Sequence, residues 1–117
     1  MSERARRYQE QVSGHSADEA YWVGDVKFDG FTDGVLLEAK GPGYANKFLD
    51  NLDPKSWFKD SGAVELVKQA NRQISRVRGT GIPIEWHIAE KSVADAIRKL
   101  FQENKIKEIA VIHTPAR

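Results

Sequence analysis

Two carboxylic acids and an amine stand on either side of a tight-turn signal in the stretch VKFDGFTDGVLLEAKGPGY, Val26 to Tyr44: Asp29, Glu38 and Lys40. Asp33-Gly34 between them favours a two-residue hairpin turn, because both central positions of such a turn need positive φ. If it forms, Thr32 faces Val35 and Asp29 lies directly opposite Glu38, with Cβ atoms ~5 Å apart. Strand alternation then puts Lys40 on the face of Glu38 and turns Leu37 and Ala39 to the other side. Opposed carboxylates repel, and the pair destabilises the fold unless something positive sits between them. A divalent Mg²⁺ or Mn²⁺, which takes oxygen ligands and keeps several waters, suits that position. Held there, it would polarise a phosphodiester and acidify water, with Lys40 positioning the water or stabilising charge that develops on the phosphoryl oxygens. The spacing D-x(8)-E-x-K is permissive, and exposed strand charges joined by a salt bridge satisfy it equally. Repulsion also implies that Glu38→Gln leaves the metal-free fold as stable as before, or more so.

The elements that must position these groups can be read from residue periods. Ser2 to Val12 reads as a helix, with Ser2 as cap, Ala5, Tyr8 and Val12 at helical spacing, and Gly14 as stop. Tyr21 to Phe31, rich in aromatic and β-branched residues, reads as one strand, and Val35 to Lys40 as its return before Gly41-Pro42-Gly43. YANKFLDNLDPKSWFKDSG reads as a loop with helical turns, anchored by Phe48, Leu49, Trp57 and Phe58. Val64 to Val77 has the stripe Val67, Ala70, Ile74, Val77 of an amphipathic helix, with Gly79 beyond its end. IPIEWHIAE is a strand, Ser92 caps a helix running to about Asn104, and EIAVIHT is a last strand. The order α-β-β-α-β-α-β predicts an α/β (α+β) fold, a mixed sheet flanked by helices.

Length and composition set the outer bounds. The 117 residues suit a single domain, residues 1–117, with one core. With 18 Lys plus Arg against 17 Asp plus Glu the net charge is +1, so any basic surface must be local. The absence of cysteine excludes disulfides, thiol chemistry and cysteine-bound zinc. No run approaches the ~18 apolar residues of a membrane span, so no membrane role is expected, and no export signal is visible.

Asp29 followed by Glu-x-Lys on the adjacent strand, between two helices, resembles the PD-(D/E)xK superfamily of restriction-endonuclease-like nucleases. More closely, YQEQVSG, VKFDGF, LLEAKGPGY, QANRQ and IEWHIAE resemble the restriction-endonuclease-fold toxin domain, fifth class, found at the C-terminal ends of bacterial polymorphic toxins and type VI secretion effectors. The resemblance runs from Tyr8 to about Val111, and FDG with EAKGPGY is its most specific part. One departure is that the superfamily's nominal Pro-Asp is Phe28-Asp29 here.

That resemblance implies a metal-dependent nuclease, with Asp29 and Glu38 as ligands of Mg²⁺ or Mn²⁺ and Lys40 as the catalytic lysine. DNA is the expected substrate. A ribonuclease stays open, because nothing in the sequence reads deoxyribose against ribose, as does a catalytically silent binding module on the same scaffold. It further implies a small, acidic immunity protein as partner, a delivery region outside this chain, secretion by the producing bacterium, and action in the target-cell cytoplasm. Gln69 and Gln73, one helical turn apart, would support the site.

Other candidates are read from position. Lys68, Arg72 and Arg76 recur every four residues on the neighbouring stripe, and suit a nucleic-acid backbone or a solvated face. Tyr44 and Lys47 follow the Gly-Pro-Gly stop and suit the edge of a substrate groove, or a loop fastening. His87 alternates with Trp86, and either assists proton transfer or phosphate binding, or is packed into the sheet. In the first helix Glu10 is expected in solvent and Gln9 nearer the interior.

Overall fold

In a computed structural model covering residues 1–117, helix α1 (Glu3–Ser13) begins where the Ser2 hydroxyl accepts the Ala5 N–H. It ends at Gly14, which at φ 73° returns its N–H to the Glu10 carbonyl. Strands β1 (Tyr21–Val23), β2 (Val26–Phe28), β3 (Gly30–Thr32) and β4 (Val35–Lys40) follow. A 3₁₀ turn at Ala45–Lys47 and the short α2 (Ser56–Lys59) lead to α3 (Gly62–Val77), β5 (Ile84–Ile88), α4 (Lys91–Glu103) and β6 (Ile109–His113).

The main sheet has the order β3-β4-β5-β6. Its β3–β4 pair is antiparallel and the other two pairings are parallel, so the sheet is mixed, as the element order implied. The Asp33-Gly34 turn forms with φ of 55° and 81°, and Thr32 pairs with Val35. Upstream, the single strand expected from Tyr21 to Phe31 is two. Gly24, at φ 61°, turns the chain with Asp25 into a separate two-stranded hairpin that pairs Tyr21 with Phe28. The chain then crosses to the main sheet at Asp29.

Alternation along β4 and β5 sorts the two faces of the sheet. Leu36, Glu38 and Lys40 share a face with their parallel neighbours Ile84, Trp86 and Ile88. Helices α3 and α4 cover that face, with Ala70, Ile74, Val93, Ile97 and Phe101 all buried against it. Trp86, fully buried, meets Phe101 edge to face at 5.1 Å. Burial of each large apolar side chain contributes roughly 1.5–3 kcal/mol. Helix α1 packs on the other face against β3 and β4. The Cα of Ala5 lies so close to Gly41 that an added Cβ there would stand 3.3 Å away. No helix is long and apolar enough to cross a membrane.

Four local expectations change. Of the loop anchors, Phe48 and Phe58 are buried and meet at 5.5 Å, but Leu49 and Trp57 are 49% and 60% exposed. Glu90 occupies the N-cap position of α4, and Ser92 lies inside the helix without a capping bond. Glu10 is half-buried and accepts the Ala17 N–H instead of facing solvent. Val67 is only partly buried, at the margin of the core.

Candidate active site

Asp29 reaches Glu38 by a kink and not by the expected ladder pair. Regular pairing ends at Gly30 with Leu37. The Asp29 N–H donates to the Leu37 carbonyl at 2.9 Å, one residue out of step with that register, and Asp29 Oδ2 accepts the Ala39 N–H at 2.8 Å. The carboxyl group is thereby held beside Glu38. Burial pushes the Asp29 pKa up first, and the charge of Glu38 adds to it. The Ala39 N–H and Lys40 oppose them, and the result is about 6.

Glu38 is 5% exposed, and both its carboxylate oxygens accept hydrogen bonds. Its Oε2 accepts from Lys40 Nζ at 3.2 Å and from Gln69 Nε2 at 2.9 Å, and its Oε1 accepts from Gln73 Nε2 at 3.1 Å. Gln73 has no exposed surface, and its Oε1 accepts the indole N–H of Trp86 at 2.8 Å. Lys40 Nζ also donates to Gln69 Oε1 at 2.8 Å and lies 5.0 Å from the Trp86 ring centre. The 3.6-residue period brings both glutamines of α3 onto the sheet-facing side, where they hold the carboxylate and ammonium of β4. A buried ion pair persists when further hydrogen bonds support it, as those of Gln69 and Gln73 do here.

The oxygens suit a small divalent cation. Asp29 Oδ2 is held by Ala39, which leaves Oδ1 without a protein donor. Glu38 Oε1 accepts one hydrogen bond and retains a second lone pair. Two adjacent carboxylates, one with a raised pKa, form the acceptor-rich site that a divalent cation with retained waters would relieve.

A cleft of about 340 Å³ opens over the carboxylates, walled by Trp22 and Lys27 of the β1–β2 hairpin and by Gln69 and Arg72 of α3. A second hollow of about 340 Å³, bounded by Lys40, Tyr44 and Lys47, shares Gln69 and Arg72 with the first. Lys47 Nζ lies 4.9 Å from the Tyr44 ring centre. Their loop is fastened by Glu90, whose Oε1 accepts the N–H groups of Gly43, Tyr44 and Ala45 at 3.0, 2.9 and 3.2 Å.

The expected stripe Lys68, Arg72 and Arg76 lines one open hollow with Asp25 and Asn71, but its members differ in their other contacts. Arg72 also borders the cleft and the second hollow. Lys68 is exposed and pairs with Glu65 at 3.7 Å. Arg76 Nε donates to the Val23 carbonyl at 3.0 Å and ties α3 to the β1–β2 hairpin. His87 lies between Thr114 Oγ1 at 2.8 Å and Glu85 Oε1 at 3.0 Å, on the face of the sheet opposite Glu38 and Lys40. Gln9 is buried in α1, across the sheet, with its Nε2 unpartnered. Sequence reading missed Trp22, Lys27 and Glu90. The glycine at Gly24 was the one local signal for the first two, and a lone glutamate before a helix carried none for the third.

A family model described as restriction endonuclease fold toxin 5 matches residues 5–91, a span that includes Asp29, Glu38, Lys40, Gln69 and Gln73. No curated protein matches the chain.

Proposed function

The chain belongs to the restriction endonuclease fold toxin 5 family, and from that membership we propose that it is a metal-dependent nuclease toxin hydrolysing phosphodiester bonds of DNA. The observation that carries the reading is the buried Glu38–Lys40 pair, joined to Gln69 and Gln73, with Glu38 beside Asp29 in an open cleft and Lys40 lining the hollow that adjoins it. Asp29 and Glu38 would hold Mg²⁺ or Mn²⁺. Bound there, the cation supplies Lewis-acid polarisation of the phosphodiester and acidifies its water.

The other groups act directly. Lys40 has three N–H donors, two of them committed to Glu38 and Gln69. The third is free to orient the attacking water or to stabilise charge on the phosphoryl oxygens as the P–O bond breaks. Gln69, bonded to both Glu38 and Lys40, fixes their separation, and Gln73 fixes Glu38 from below. Arg72, at the junction of the two hollows, is placed to meet the backbone on either side of the scissile phosphate.

The same reading makes the domain the toxic part of a secreted antibacterial effector, acting in the target-cell cytoplasm and held silent in the producer by a small acidic immunity protein. The test is cleavage of plasmid DNA with Mg²⁺ or Mn²⁺, abolished by EDTA and by Lys40→Ala. Expression of the wild-type domain alone should arrest growth, and Lys40→Ala should not. Protein that binds DNA but never cuts it under any metal would reject the enzyme; cleavage confined to RNA would reject the substrate.

A further inference from the structure

The β1–β2 hairpin presents an aromatic ring that packing does not account for. Tyr21 stacks on Phe31 at 4.9 Å, but its neighbour Trp22 is 59% exposed. Trp22 pairs across the hairpin with Lys27, so the two share a face, and both line the cleft above Asp29 and Glu38. An isolated two-stranded hairpin is marginal in water, and this one is fastened. Arg76 Nε donates to the Val23 carbonyl at 3.0 Å, and its guanidinium fills the space where a Cβ on Gly24 would sit. The indole is therefore held at the rim of the cleft, with Lys27 beside it and Arg72 also lining the site.

The geometry points to Trp22 as a base-stacking residue, so that the substrate is single-stranded or locally unpaired DNA; this rests on the nuclease reading above. In a duplex each base has both faces covered by its neighbours, and an indole finds no free face. An unstacked base offers one, whatever its identity. Lys27 and Arg72, set among the carboxylates of Asp25, Asp29 and Glu38, supply the cations for flanking phosphates. The cleft volume of about 340 Å³ lies at the low end of small-ligand sites and suits one nucleotide better than two paired strands. The adjoining hollow adds Tyr44 as a second ring beyond Gln69 and Arg72.

Binding in EDTA, read by anisotropy of a labelled oligonucleotide offered single-stranded or as its duplex, tests this without cleavage. Single-stranded DNA should bind at least about tenfold more tightly than duplex. Trp22→Ala should remove about tenfold of single-strand affinity, the scale of one base–aromatic stack, while leaving duplex binding unchanged. Trp22→Phe should keep most of it. In a Trp57→Phe background, single-stranded DNA should quench the fluorescence that Trp22 contributes. Equal loss for both DNA forms, or no loss with Trp22→Ala, overturns the inference. If Trp22→Ala cuts single strands and duplex as the wild type does, stacking is wrong and the nuclease stands. If wild-type protein neither binds nor cuts any DNA, both readings fall.

Discussion

Asp29 holds its proton more tightly in the folded chain than in the unfolded one, because burial and the neighbouring Glu38 both oppose its charge and raise its pKa from 3.8 to about 6. Between those values the unfolded chain binds fewer protons, so stability is full below the unfolded pKa and falls as pH rises through the folded one. Asp29→Asn keeps an oxygen for the Ala39 N–H and removes the charge. It should stabilise the metal-free protein by about 2–3 kcal/mol at about pH 8 and by almost nothing at about pH 3. Thermal melts in EDTA across that range check it, and the same gain at both ends would assign the effect to something other than the carboxylate. Glu38→Gln should change stability in the opposite direction, through lost hydrogen bonds. Repulsion alone suggested that Glu38→Gln would be harmless, but Glu38 accepts from Lys40, Gln69 and Gln73. A glutamine there turns an NH₂ group against those donors and leaves the buried Lys40 ammonium without its partner. The expected cost is about 3 kcal/mol, and urea melts of the two variants side by side should move in opposite directions.

At the scale of elements, two hairpins and one helix assemble the site, and they were not equally legible. The common face of Glu38 and Lys40 and that of Gln69 and Gln73 are local consequences of strand and helix periods, so sequence carried them. The Asp33-Gly34 turn was equally open to reading. The approach of Asp29 was not, since it depends on a kink where the chain changes sheets. Nor was the β1–β2 hairpin, because its Gly24-Asp25 turn interrupts a run of strand-forming residues and its fastening to Arg76 comes from a distant helix. The cations of α3 therefore divide by what they touch. Arg72→Ala should weaken DNA binding and lower the slope of log affinity against log salt by about one. Arg76→Ala should leave that slope nearly unchanged while hydrogen exchange speeds up across residues 21–28. If Arg76→Ala changes the slope as Arg72→Ala does, Arg76 contacts the substrate and the tether is secondary.

Across the whole molecule, the core and the site are one network. Trp86 belongs to the apolar core through Phe101 and to the site through its N–H bond to Gln73, which in turn holds Glu38. Trp86→Phe keeps an aromatic ring but removes the donor, leaving the Gln73 oxygen unpartnered where that residue has no exposed surface. An unsatisfied buried acceptor costs about 1–3 kcal/mol, and the smaller ring adds a cavity term. With Gln73 free to turn, Glu38 loses one of its three donors and its separation from Lys40 is less firmly set. Turnover should fall with little change in KM, because no group that meets the substrate has been altered. Phe101→Leu is the matched control: it loosens the same core by a comparable amount and leaves the Trp86–Gln73 bond in place. Urea melts and steady-state cleavage of both variants, at a temperature where both remain folded, separate the two effects. If Phe101→Leu lowers turnover as much as Trp86→Phe at equal loss of stability, catalysis follows general rigidity of the core. A selective loss in Trp86→Phe places the control of Glu38 and Lys40 in Trp86, through its hydrogen bond to Gln73 and the ring beside the Lys40 ammonium, at the centre of the fold.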